Sequence, residues 1–283
     1  MLELIDGTTD VAVNTGALNG GIVHLNSFNT YAGETSLGCG TLAVKHVAEE
    51  GAASDLGASG LVRVGPGTFR YEGPAGAMID RTFTNDVPMG SVCVYDIRSD
   101  LTITGDVLQH CGGFVKTGPG TLHLASSGIN QLQSRRGTAS TANYKKIDSA
   151  ADMKELAFNA NGDAPTNGIA GFVLAEGTLV LGENGGTNYI CRDDYFPKVG
   201  VLTTKTGQEK SAVLDIRGGY TRCFQAFYIA AQNGNAYGAE PVRSGLRMSA
   251  GKFDLPGVNF YLGRNRLNGS YEQQTYPFIE MTG

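Results

Sequence analysis

The residues of this chain best suited to chemistry are Arg192, Asp193 and Asp194, two carboxylates beside a guanidinium. A pair of carboxyl groups flanking a glycosidic bond supplies the acid and the base or nucleophile of polysaccharide cleavage. Neighbours along a strand point to opposite faces, so this pair shares a cleft only if it sits in a loop. Neither an Asn-Thr-Asp nor a Gly-His-Gly segment accompanies it, and a solvated loop is the reading that outweighs catalysis.

The remaining reactive residue types offer less. His24 and His123 hold the same place in Val23-His24-Leu25 and Leu122-His123-Leu124, each just before an inward apolar residue, and are expected to face solvent. No Ser-His-Asp order, His-Glu-x-x-His, phosphate-binding loop or EF-hand loop occurs. Asn233-Gly234-Asn235, and Asn265 with Asn268, lack the Asp-rich spacing of calcium loops. Five cysteines (Cys39, Cys93, Cys111, Cys191, Cys223) are an odd number without a Cys-x-x-Cys, so buried thiols are expected rather than a zinc site or a disulfide framework. The sequence thus calls for no metal or cofactor, and no catalytic turnover is expected.

Binding is better represented. Arg135, Arg136, Lys145 and Lys146 concentrate in one stretch of an otherwise acidic chain, with Tyr144 among them. That stretch suits an anionic partner such as an acidic glycan, or a neighbouring protein subunit, although a tolerated surface insertion is the reading that outweighs binding. A net charge of −5 leaves no basic footprint for nucleic acid. No run of roughly 18 apolar residues occurs, and Met1 to Asp6 has neither the basic start nor the apolar run of a secretory signal. No membrane segment is expected in this chain.

The elements that must position these residues are short strands. Gly-Thr followed by alternating residues recurs at Gly40-Thr41-Leu42-Ala43-Val44, Gly67-Thr68-Phe69-Arg70-Tyr71, Gly120-Thr121-Leu122-His123-Leu124 and Gly177-Thr178-Leu179-Val180-Leu181. The step from Gly40 to Gly67 suggests a unit of about 27 residues. The wider step to Gly120 then holds one hidden copy, and the step from there to Gly177 a further copy with an insertion. A fixed period carried by strands marks a solenoid. Strands spaced about ten residues apart leave no room for crossover helices and exclude doubly wound α/β folds, which leaves a sandwich or a coil. Glycine at 41 of 283 residues supplies the turns.

Residues 131–168 break the rhythm. They are read as a projecting insertion, a loop plus one short helix near 149–158, where Ser149 and Asp152 offer an N-cap pattern. Residues 1–130 and 169–210 are read as repeat coils. From 211 to 283 a longer unit appears, in which Leu214-Asp215-Ile216, Leu246-Arg247-Met248 and Ile279-Glu280-Met281 recur with a period of about 33 residues. One parity within the strands gives the expected core: Leu25, Leu42, Val44, Val62, Val64, Leu122, Leu124, Leu179, Leu181, Leu214, Ile216, Leu246 and Met248. Lys116, before Gly118-Pro119-Gly120, reads as a solvated turn residue, with Gly120 the candidate for positive φ. Because the chain starts and stops inside repeating material, it is read as one β-solenoid cut from a longer protein.

Gly112-Gly113-Phe114-Val115-Lys116-Thr117-Gly118-Pro119-Gly120-Thr121-Leu122-His123-Leu124 resembles the autotransporter-associated β-strand repeat, with its Lys-x-Gly-x-Gly-Thr-Leu-x-Leu core. Asn29-Thr30-Tyr31-Ala32-Gly33-Glu34-Thr35, followed by Gly40-Thr41-Leu42, matches the motif's other half. The likeness covers roughly residues 20–181; after Asn130 the expected Tyr-x-Gly-x-Thr gives way to the insertion, and no C-terminal barrel sequence is seen. It implies an all-β, right-handed parallel β-helix in the exported, surface-displayed part of a large bacterial protein, with a structural or adhesive role and no implied reaction. A carbohydrate-binding or carbohydrate-cleaving β-helix and a phage-type fibre or spike stay open as alternatives.

Overall fold

The computed structural model describes residues 7–14, 21–87, 92–111, 113–132, 172–190, 198–201, 211–224, 227–233, 242–262, 265–266 and 275–282. Among them the chain is all strand, turn and bend, without a helix. Every pairing between these strands is parallel, and the one antiparallel contact among the described residues is an isolated bridge between Asn29 and Ser54. The fold is a parallel β-helix, the solenoid that the strand spacing suggested and the β-helix that the family resemblance implied.

Each coil visits three sheets in turn. A representative coil runs from Leu61–Val64 on the first sheet to Gly67–Tyr71 on the second and Ala77–Ile79 on the third. The next places Thr82–Asp86, Val92–Ile97 and Leu101–Ile103 on the same three faces. Thr35–Val44 bends across a corner, pairing through Thr35 to Leu37 on the first sheet and Gly40 to Val44 on the second. Gly40, at φ 83°, allows that bend.

Register gives the coil length. On the first sheet Val62 pairs with Phe83 and Phe83 with Val107, whereas later Asn188 pairs with Thr221 and Thr221 with Phe253. The later coils are therefore the longer ones, and the longer step is already present between Asn188 and Thr221. On the third sheet Leu214, Leu246 and Ile279 align in one row. Between these regimes Asn130 pairs with Asn188, so the stack keeps its register on either side of residues 133–171.

One expectation needs correction. The four Gly-Thr strands do not share a face: Gly40 and Gly67 pair on the second sheet, whereas Thr121 and Thr178 pair on the third. From Thr68 the second sheet continues through Val94 to Val115, not to Thr121. The step from Gly67 to Gly120 therefore spans two coils plus one corner. Similar strands suit any face of a coil with three alike sheets, so motif spacing alone does not count coils.

The core lies inside the coils. All but one of the thirteen expected core residues are buried, and Met248 is half-buried. An aromatic stack runs along it through Phe69, Tyr95, Phe114 and Phe172. On the second sheet Val92–Ile97, Gly113–Thr117 and Phe172–Leu174 are buried on both faces, with outward Val94, Val115 and Val173 covered. Those strands depart from the half-buried alternation of first-sheet strands such as Leu61–Val64 and Thr187–Ile190.

Several buried polar groups are paired through the coil interior. Asn130 Nδ2 donates to Asn188 Oδ1 at 2.9 Å, and Asn188 Nδ2 to Thr221 Oγ1 at 3.4 Å, a polar row one residue wide along the axis. Arg81, fully buried, donates to the carbonyls of Ala48, Glu49, Ala52, Leu56 and Gly57. It pins the 46–58 segment, which Asp55 holds from the other side by accepting from the Lys45 and His46 amides.

Lys116 is a second correction. It is fully buried, not solvated, because position 116 keeps the inward parity of Tyr95 and Leu174, its neighbours in register. Its Nζ donates to the carbonyls of Gly118, Gly120 and Glu176 at 2.7, 2.6 and 2.9 Å. The left-handed residue of that corner is Gly118, at φ 79°, rather than Gly120.

Candidate functional site

Side chains that face outward from a sheet can meet a partner, and among the described residues a dense outward group lies on the first sheet. There Thr187–Ile190, Tyr220–Cys223 and Lys252–Asp254 stack in register. One outward row reads Tyr189, Arg222, Asp254, and the adjacent row reads Thr187, Tyr220, Lys252. Inward Asn188, Thr221 and Phe253 anchor these strands to the core, so their alternate neighbours are held outward by period two.

The group is organised around Arg222. Its guanidinium carbon lies 4.8 Å from the centre of the Phe224 ring, and Phe224 stacks on Tyr189 with centroids 6.0 Å apart. Arg222 Nε stands 3.7 Å from Asp254 Oδ2, the oxygen that accepts a 2.6 Å hydrogen bond from the Tyr220 hydroxyl. Lys252 Nζ lies 5.5 Å from the Tyr220 ring centre. Donation to the Asp254 carboxylate holds the Tyr220 hydroxyl above the ordinary phenol value. The result is a half-exposed patch of three rings, two cations and one carboxylate, suited to binding through ring faces and charge-assisted hydrogen bonds.

A second outward feature is the stacked pair Phe28 and His46, ring centroids 4.8 Å apart, with Phe28 61% exposed. His46 Nδ1 lies 3.3 Å from Asp55 Oδ1. The same carboxylate serves two backbone amides through Oδ2, which makes it a strut for the 46–58 segment. On the third sheet His123 meets Glu183 at 2.8 Å, Glu183 meets Arg217, and Arg217 meets Asp215, a surface ion network.

The residues singled out from sequence fall elsewhere. Arg192, Asp193 and Asp194, and Arg135, Arg136, Tyr144, Lys145 and Lys146, lie outside the described residues, as does the helix expected in the 131–168 insertion. His24 is exposed and His123 half-exposed, on outward positions as their strands imply. Cys93 and Cys223 are buried and Cys39 is half-buried. Among the described residues no group of three or more His, Cys, Asp and Glu side chains is placed to hold a metal, and no helix is long and apolar enough to cross a membrane. The Arg222 group escaped sequence reading although a signal existed: extending the longer repeat back to Tyr189 puts Tyr189, Arg222 and Asp254 in one row.

Fold and surface together define a parallel β-helix with decorated outer faces. Over 113 residues the chain is 36% identical to the Adhesin BmaC autotransporter of Brucella suis biovar 1 (strain 1330), a match covering 38% of this chain and 3% of that protein. The chain therefore spans a small part of the length of that relative. No family model matches the chain, and no solved structure matches it.

Proposed function

We propose that this chain is a non-catalytic, adhesive segment of the surface-displayed passenger of a large bacterial protein. The observation that carries the reading is the partial identity to an autotransporter adhesin in a chain whose strands stack as a parallel β-helix. Rigid coils hold outward rows of side chains at the strand repeat of about 4.8 Å, which suits extended contact with a partner. Arg135, Arg136, Tyr144, Lys145 and Lys146 are a proposed contact for an anionic partner, in a 131–168 segment proposed to stand outside the stack.

The purified chain, immobilised on beads, is expected to retain host epithelial cells or extracellular matrix above a scrambled-surface control. Incubation with pectins, alginates and host glycans is expected to release neither reducing ends nor unsaturated products. Turnover that disappears in Asp193→Asn or Asp194→Asn would replace this reading with the polysaccharide-cleaving one.

A second reading, a carbohydrate-binding β-helix, is favoured by one feature, the ring-and-cation patch around Arg222. It is compatible with adhesion, since a surface segment adheres through whatever its outer faces bind.

A further inference from the structure

The Arg222 patch has a chemistry of its own. Asp254 lies beyond hydrogen-bond distance of Arg222 Nε at 3.7 Å, and that Nε is buried with no hydrogen-bond partner. The carboxylate therefore compensates the guanidinium through space, and with Nε buried in a side chain that is 37% exposed, the terminal nitrogens are the donors a ligand can reach. The Phe224 ring, centred 4.8 Å from the guanidinium carbon, packs against this group, and a planar guanidinium backed by a ring is suited to a bidentate carboxylate.

Charge and shape narrow the partner. Among the described residues Arg222 and Lys252 face one carboxylate, Asp254, a local excess of positive charge in a chain of net −5. The same excess of acid elsewhere disfavours a polyanion as large as nucleic acid. Tyr189, Tyr220 and Phe224 are half-exposed and offer ring faces beside the cations. A ring face accepts the C–H side of a pyranose, while the Tyr220 hydroxyl and Asp254 can exchange hydrogen bonds with sugar hydroxyls. A flat C–H face joined to an anion is a carboxylated sugar.

We propose that Tyr189, Tyr220, Arg222, Phe224, Lys252 and Asp254 form a subsite for a carboxylated sugar residue of a glycan, a uronate or a sialate. Arg222 takes the carboxylate, Tyr189 and Phe224 take the ring, and Lys252 adds long-range attraction. The rows run along the coil axis, so a linear glycan lying on the sheet meets one strand after another. The proposal deepens the adhesive reading and rests on it for its biological use, but the binding itself is testable alone.

The whole chain is titrated by calorimetry and by ¹H–¹⁵N NMR with 3′-sialyllactose and with a hyaluronan tetrasaccharide. Lactose and the carboxyl-reduced tetrasaccharide serve as neutral counterparts. Saturable binding to at least one acidic probe is expected, weakened about tenfold or more when the carboxylate is absent, since charge-assisted hydrogen bonds carry that much discrimination. Arg222→Gln should weaken it as strongly, and Arg222→Lys, which keeps charge and loses the fork, by a smaller factor. Tyr189→Ala should weaken acidic and neutral sugars alike.

Equal affinity for acidic and neutral probes, no binding of either acidic probe, or unchanged binding by a folded Arg222→Gln chain each overturns the site. So does competition by poly-glutamate or inorganic phosphate as effective as the sugar. If Arg222→Gln loses its near-ultraviolet circular dichroism, Arg222→Lys and Phe224→Leu decide the matter by the same criteria. A chain that adheres to cells but binds neither probe overturns the sugar site and leaves the adhesive reading standing. A chain that binds the probe through Arg222 but does not adhere overturns the adhesive reading alone.

Discussion

Lys116 and Glu176 are joined across neighbouring coils: Lys116 Nζ donates to the Glu176 backbone carbonyl at 2.9 Å, and the Glu176 carboxylate accepts the Gly118 amide at 3.2 Å. The lysine stem lies inside the coil while its ammonium satisfies three corner carbonyls. Lys116→Met keeps the stem and removes every donor. Leaving buried carbonyls unmet costs about 1–3 kcal/mol per group, with relaxation recovering part, so a total loss of about 3 kcal/mol is expected. Urea unfolding should show a lower midpoint at an unchanged slope. An unaltered midpoint would remove Lys116 from the account of the corner.

Asn188 links Asn130 and Thr221 along the coil interior. Asn188→Ala strands the Asn130 amide against only a long contact to the Leu124 carbonyl at 3.5 Å, and a loss of about 1–3 kcal/mol is expected. A cycle with Thr221→Val should show a coupling energy of at least about 0.5 kcal/mol, because the two residues share one hydrogen bond. Simple additivity would mean the row is three independent residues.

The apolar core beside this row was legible from alternation, whereas the polar row itself was not. Leu122 and Leu124 pair with Leu179 and Leu181 as their shared parity implies, and Leu214, Leu246 and Ile279 align at the spacing read from sequence. What stayed hidden depends on corners. Residue counting does not distinguish one coil from a coil plus a face, which is why Thr68 and Thr121 read as equivalent. The solvated-turn reading of Lys116 fails because it weighs residue type above parity. Tyr189 and Arg222 become neighbours because one whole coil, corners included, separates them on the same sheet, and alternation within either strand carries no trace of that closure.

Alkaline pH should expose the buried phenols. Burial pushes the Tyr95 hydroxyl well above the ordinary phenol value, with nearby Cys93 adding to it and the bond to Asn85 opposing it; burial raises Tyr31 as well. Below about pH 10 such a phenol is neutral in both folded and unfolded chains, and its contribution is fully present. Above that, the unfolded chain releases the proton first, so stability falls as pH climbs toward the folded value. The urea midpoint of the parent chain should drop between about pH 9 and 11. Tyr95→Phe should be less stable at pH 7, where Asn85 Oδ1 loses its 2.6 Å donor, yet show a shallower alkaline decline. Parallel pH profiles for the two chains would contradict the assignment.

Arg81 supports the 46–58 segment through carbonyls alone. Its guanidinium is pulled below the ordinary arginine value by desolvation, with Tyr31, Asp80 and Glu50 opposing that pull. The group nonetheless stays cationic at neutral pH, as arginine does throughout proteins. Its five bonds diverge to Ala48, Glu49, Ala52, Leu56 and Gly57, a spread that three donors on one nitrogen do not reproduce. Arg81→Lys should therefore fail to restore what Arg81→Met loses. Both should destabilise the chain by about 3 kcal/mol, the range for disrupting a buried charged network, and both should release the segment locally. Limited proteolysis at neutral pH is the direct measure: cleavage within 46–58 should become fast in both variants while the coils from Leu61 onward resist. Full protection of the segment in Arg81→Lys would show that the positive charge, not the geometry of the fork, holds it in place.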